Sequence, residues 1–179
     1  MLQQTQVSRV IPKYREFVRK YPSLHALARA SSREVRETWY PLGYNIRPVR
    51  LQQIARTVVK RFRGKLPDTR EDLLTLKGIG AYTAGAVMTF GHGKATPILD
   101  TNVRRLLRRV FYGDRPVRDR LLWKLSAALL PRRRAYDFNQ ALMDFGATVC
   151  TARAPVCPTC PMRRICRAYP RLVTMPHRT

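Results

Sequence analysis

The chain has 179 residues, enough for one compact domain or two small ones, and its 45% hydrophobic content supplies a core and argues against disorder. Thirty-five Lys and Arg stand against 11 Asp and Glu, a formal net charge of +24. Acids this scarce cannot neutralise runs such as Arg132-Arg133-Arg134, so the balance points to a polyanionic partner, with a merely solvated Arg-rich surface as the plain alternative. No apolar stretch has the length to span a bilayer and no secretory signal pattern opens the chain, so a cytoplasmic protein is expected.

Along the chain, apolar residues recur at helical spacing: Val7, Val10, Ile11, Tyr14, Phe17 and Val18, then Leu24, Leu27 and Ala28, then Val35 and Trp39. Sustained strand-like alternation is missing, which predicts an all-α fold of about ten short helices. Breakers punctuate them at Tyr21-Pro22-Ser23, Ser31-Ser32, Pro41, Pro48, residues 64–67 and residues 91–97. Ser31 and Glu34 have the spacing of a capping box, in which hydroxyl and carboxylate satisfy each other's free backbone amides. The tail 170–179 has few core-forming positions and is expected to fray.

Next comes Leu76-Lys77-Gly78-Ile79-Gly80-Ala81-Tyr82-Thr83, between a helix ending near Leu76 and one running from Tyr82 to Phe90. Glycines at such a turn let the backbone approach a phosphate, and the following helix offers free amides and the positive end of its dipole. An ordinary turn is the competing interpretation. Ile98-Leu99-Asp100-Thr101-Asn102 then brings a carboxylate to the start of a basic helix. There Asp100 is at least an N-cap, accepting from the free amides of that helix.

All four cysteines fall in one stretch, Cys150-x6-Cys157-x2-Cys160-x5-Cys166, at the end of a helix running from Phe138 and flanked by Arg153, Arg163, Arg164 and Arg167. A disulfide framework would spread its cysteines to link distant segments, so a local metal site fits better. Four thiolates with no nearby histidine suit either tetrahedral zinc or a cubane iron-sulfur cluster. Zinc ribbons present two short Cys pairs, and here only Cys157 and Cys160 form one.

The cysteine spacing resembles the cluster loop of endonuclease III and MutY, DNA glycosylases of the helix-hairpin-helix superfamily. The turn at Lys77-Gly78-Ile79-Gly80 resembles that superfamily's hairpin, commonly L-P-G-V-G, with Lys77 replacing the proline and adding a charge. Met1-Leu2-Gln3-Gln4-Thr5-Gln6-Val7, Leu42-Gly43-Tyr44 and the run 137–144 extend the likeness to the adenine-removing MutY branch, over nearly residues 1 to 170. The resemblance implies two helical lobes, a barrel lobe at 1–93 carrying the hairpin and a cluster lobe at 94–179, with a [4Fe-4S] cluster on Cys150, Cys157, Cys160 and Cys166.

It further implies a monomer acting on double-stranded DNA with mismatched or damaged bases. Lys77, Gly78, Gly80 and Thr83 would grip the backbone, Gln4 would wedge into the base stack, and Leu2 and Tyr44 would line the base pocket. The spacing from Gly78 matches Asp100 to the superfamily's catalytic aspartate, placed to stabilise an oxocarbenium-like sugar. Tyr82 stands where bifunctional relatives carry a lysine that attacks the sugar. A phenol forms no Schiff base, so a monofunctional enzyme is expected.

The implied reaction is hydrolytic removal of adenine paired with guanine or 8-oxoguanine. One alternative is a thymine or uracil glycosylase acting on G:T and G:U mismatches, whose branch shares the tyrosine and the cysteine loop. The glutamate that protonates the leaving adenine in MutY would lie two residues before Met1. Its absence, with that of the N-terminal helix and the C-terminal recognition domain, leads us to expect a fragment or a reading frame begun at an internal methionine. It also keeps open a non-catalytic damage-binding module, beside a zinc-stabilised DNA-binding protein.

Overall fold

The computed structural model describes Met1, residues 5–43 and residues 46–174. Leu2, Gln4 and Tyr44, the expected wedge and base-pocket residues, lie outside the described residues. Among those described, ten α-helices and no strand are found, as the helical periodicity predicts. None of these helices is long and apolar enough to cross a membrane. The chain divides into two compact units, Met1–Ile79 and Gly80–Thr179. Residues 80–93, which the sequence groups with the barrel lobe, fall in the second unit.

The first unit contains α1 (Val7–Lys20), α2 (Leu24–Arg29), α3 (Ser32–Trp39), α4 (Ile46–Phe62) and α5 (Arg70–Leu74). Each short helix begins where a side chain replaces missing backbone partners. Ser23 Oγ accepts from Ala26 N, Thr69 Oγ1 from Asp72 N, and Ser31 and Glu34 form the predicted capping box. Val10, Phe17, Leu27, Val35, Trp39 and Ala55 bury the apolar stripes of four helices against one another. Within this core Gln52 of α4 is 1% exposed. Its amide donates to Ala30 O at 2.6 Å and accepts from Ser32 Oγ at 2.8 Å, tying α4 to the α2–α3 turn. Burial of a polar amide is tolerated because those bonds replace water.

The second unit holds α6 (Ala81–Ala86), which runs on into a π-helical turn at Val87–Gly91, then α7 (Thr101–Tyr112), α8 (Asp119–Leu129), a 3-10 turn at Arg132–Arg134, α9 (Ala135–Thr148) and α10 (Tyr169–Thr174). Leu99, Val103, Leu107 and Leu122 form its centre, none more than 2% exposed. Burying each leucine contributes roughly 1.5–3 kcal/mol. Gly113, with φ of 64°, ends α7 in the left-handed conformation that glycine adopts without a side-chain clash.

The expectation of a frayed tail fails at residues 170–174, which lie in α10. Although α10 buries none of its own residues, Arg167 N and Ala168 N donate to the carbonyls of Val110 and Arg109 and hold its start against the end of α7. Pro170 sits in its first turn, where the missing amide would have no helical partner.

Helices α7 and α9 touch through Gly146. A β-carbon there would stand 2.7 Å from Asn102 Cβ and 3.1 Å from Asn102 backbone atoms, which cannot swing aside. Gly146→Ala is therefore expected to destabilise the protein by about 1–3 kcal/mol. Thermal unfolding measures it, and an unchanged midpoint would show that the two helices separate freely.

Candidate functional site

Asp100 closes an irregular segment, residues 94–100, whose backbone is held from several sides. Thr89 Oγ1 and Asn139 Nδ2 both donate to Thr96 O, at 2.8 and 2.9 Å, and Ser126 Oγ donates to Ile98 O at 3.0 Å. Ile98 and Leu99 are buried at 0% and 2% exposure. Thr89, Ser126 and Asn139 are themselves buried, so the segment rests on polar anchors that have little freedom to shift. At its end Asp100 Oδ1 accepts from Val103 N at 2.7 Å, capping α7 as predicted. One carboxylate oxygen thus fixes the side chain at the positive end of a helix.

Tyr82, on α6, is half-buried, and its hydroxyl donates weakly to the Met143 thioether at 3.8 Å. Burial first, and the negative charge of Asp100 second, push its phenol above the usual tyrosine range. It is therefore a neutral hydroxyl beside a carboxylate.

At the glycine turn, Leu76 anchors the chain at 1% exposure, while Lys77, Gly78 and Gly80 are exposed. Ile79 N donates to Leu76 O at 3.0 Å to close the turn. Gly78, with φ of 99°, needs glycine's conformational freedom. Gly80 instead has ordinary extended geometry and serves as the N-cap of α6, with open space where a β-carbon would lie. Having no side chain, it leaves the first amides of α6 uncapped and approachable.

Cys150, Cys157, Cys160 and Cys166 all line one small cavity of about 20 Å³, walled on its apolar side by Leu106 and Val110 of α7. The thiols sense one another. The Cys157 thiol is raised by burial and then by Cys150, Cys160 and Cys166, and the Cys166 thiol is likewise raised, by burial first. Among the described residues no group of three His, Cys, Asp or Glu side chains is drawn together tightly enough to hold a metal ion. The cysteines surround a space; they do not converge on a point.

Two arginines of α7 turn toward this loop. Arg105 Nε donates to Cys150 O at 2.8 Å and its Nη2 to Asn102 Oδ1 at 2.9 Å. Arg109, 6% exposed, donates from Nη1 to Thr151 O at 2.6 Å and from Nη2 to Ala152 O at 3.1 Å. Sequence reasoning counts both among the charges available to a polyanion, whereas here they serve the protein's own loop. Their spacing was the available signal: Asn102, Arg105 and Arg109 fall three and four residues apart, on one helix face. Met143, Ser126 and Asn139 were also missed, because only tertiary contact gives them a role.

A family model for the HhH-GPD superfamily of base excision DNA repair proteins matches residues 1–127. An adenine DNA glycosylase of Homo sapiens is 46% identical over 177 residues, covering 96% of this chain and 32% of the relative. A thymine/uracil-DNA glycosylase of Pyrobaculum aerophilum is 39% identical over 177 residues, covering 94% of this chain and 77% of the relative. Among solved structures, a thermostable thymine-DNA glycosylase superposes with a TM-score of 0.89 at 32% identity, covering 95% of this chain and 80% of that one. The chain thus spans about a third of the length of the human relative and about three quarters of the archaeal one.

Proposed function

Because this chain belongs to the HhH-GPD superfamily of base excision DNA repair proteins, we propose that it binds double-stranded DNA and removes a mispaired base, adenine opposite guanine or 8-oxoguanine. The observation that carries this reading is Asp100, a carboxylate fixed by a helix cap and by the buried segment that leads to it. As the glycosidic bond breaks, positive charge grows on the deoxyribose, and a carboxylate already oriented stabilises it without reorganising. The hairpin amides around Gly78 and Gly80, with Lys77 and Thr83, would hold a phosphate and set the register of the duplex. Extruding the base costs a few kcal/mol, least at a mismatch.

Tyr82 gives the site a neutral hydroxyl in place of an amine, so base release should leave the strand intact. The four cysteines would hold a [4Fe-4S] cluster in a cluster lobe that takes in the residues from 94 onward. The donor set fits: four thiols around one cavity, with the buried Arg109 and the half-buried Arg105 beside them to balance their charge. When bound, the cluster would fold an Arg-rich loop into a fixed surface for phosphates; its role in this reading is structural. Gln4, Leu2 and Tyr44 would act as wedge and pocket, the protein working as a monomer in the cytoplasm.

A second reading is excision of thymine or uracil opposite guanine. The archaeal thymine/uracil-DNA glycosylase and the thermostable thymine-DNA glycosylase, both matched over most of their length, favour it. A single-turnover base-release assay on duplexes with A opposite 8-oxoguanine, and with T or U opposite G, separates the two. Adenine release supports the first reading and pyrimidine release the second. Mismatch binding with no release from any duplex would overturn both in favour of a binding module. In each case affinity should fall steeply with salt, because Lys and Arg contacts to phosphates release counterions.

A further inference from the structure

We propose that Arg109 is the clasp of the cysteine loop, holding its first and last cysteines together and aiming a buried positive charge at the Cys150 sulfur. The proposal rests on reading the loop as a metal-holding one. From its side chain, Arg109 reaches the loop's entrance: Nη1 lies 3.5 Å from Cys150 Sγ as well as bonding Thr151 O, while Nη2 bonds Ala152 O. From its backbone it reaches the exit: Arg109 O accepts from Ala168 N at 3.1 Å and lies 3.7 Å from Cys166 Sγ. One buried residue therefore closes residues 150–168 into a ring.

The loop's own backbone bonds cannot do this. Cys160 N to Cys157 O, Arg163 N to Cys160 O, Cys166 N to Met162 O and Val156 N to Val149 O form local turns, and the other ties to α7 each hold one end alone, Arg105 Nε on Cys150 O at the entrance and Arg167 N on Val110 O at the exit. Closing a loop of this length costs entropy that some cross-link must offset. A guanidinium suits the task because its planar fork satisfies two carbonyls and still directs charge at the sulfur. The ammonium of lysine is a point donor that cannot span all three. Burying a charge is costly unless it is paired. Here the two carbonyls, the sulfur and Asp114, 3.9 Å from Nε, surround it. A charge-assisted bond to a thiolate stabilises the ionised ligand, and partners of this kind also orient it.

The test compares the unmutated full chain with Arg109→Met, Arg109→Lys and, as a control, Arg104→Gln. Arg104 lies on the same helix but pairs with Asp119 at 2.9 Å, away from the loop. After anaerobic reconstitution with iron and sulfide, iron, zinc and sulfide content, the rate of metal loss to a chelator, and the midpoint potential by film voltammetry are measured. Arg109→Met is expected to release metal roughly tenfold or more faster, the scale on which outer ligand partners act. Its remaining cluster should be harder to reduce, since a cation near the sulfur favours the more negative state. Arg109→Lys should restore the potential but not the retention, and Arg104→Gln should match the unmutated chain.

Wild-type metal content, release rate and potential in Arg109→Met would overturn the proposal. If that variant does not fold, wild-type retention by Arg109→Lys would overturn it equally. Zinc without sulfide in the unmutated chain would sink the cluster reading alone, leaving the clasp to be judged by zinc release. A chain that takes up neither metal would overturn both.

Discussion

Asp100→Asn is expected to reduce single-turnover base release by roughly a hundred- to a thousandfold, the range for deleting one preorganised charge-stabilising group, while mismatch binding stays near wild type. The substitution is clean because asparagine caps a helix about as well as aspartate. Its side-chain oxygen can keep the bond from Val103 N that Asp100 accepts at 2.7 Å, so α7 should start where it does now. Only the charge is removed. Asp100→Ala deletes the cap too and should lower stability by about 1 kcal/mol. Comparing melting temperatures with release rates thus separates the electrostatic role from the structural one. Equal turnover by Asp100→Asn and the unmutated chain would reduce Asp100 to a cap, and the proposed chemistry would lose its central group.

Helix α7 explains why a cap and a charge coincide at this residue. Its N-terminus carries Asp100, its apolar face carries Val103 and Leu107 into the core, and a third face sends Arg105 and Arg109 to the cysteine loop. One rigid element therefore sets both the carboxylate and the first cysteine.

Much of this was legible in residue order. The capping box at Ser31, the cap at Asp100, the glycine turn and the cysteine spacing depend on neighbours a few positions apart, so local chemistry suffices to read them. What stayed hidden depends on tertiary contact. Arg109 looks in sequence like any residue of a basic run, and only the path of residues 150–168 around the end of α7 buries it. Gln52 likewise reads as a surface glutamine of a helix until α2 and α3 close over it. The π-helical turn at Val87–Gly91 has no composition of its own. Helix α10 formed where fraying was expected because Arg167 and Ala168 are tethered to α7 by backbone bonds, which side-chain patterns do not announce. Gly78 and Gly80 look equivalent in the motif, yet a positive φ makes glycine necessary only at the first.

Tyr82→Lys should create a covalent activity that the unmutated chain lacks. On a duplex carrying an abasic site, the ε-amine would condense with the ring-opened C1′ aldehyde and expel water, and borohydride would reduce the resulting imine to a stable cross-link. The abasic substrate makes the experiment independent of which base the protein excises. Tyr82 contributes little that lysine would forfeit, since its hydroxyl makes only a 3.8 Å contact to the Met143 sulfur. The two causes that raise the tyrosine pKa act oppositely on an amine: burial lowers it, whereas the Asp100 charge raises it. Because the neutral amine is the nucleophile, trapping should increase with pH as the ammonium loses its proton. Tyr136→Lys supplies the control, an exposed tyrosine stacked edge-on against Phe90, and should trap nothing. Failure of Tyr82→Lys to cross-link abasic DNA that it still binds would mean that Tyr82 does not face the sugar, and the case for a monofunctional enzyme would then need a different residue.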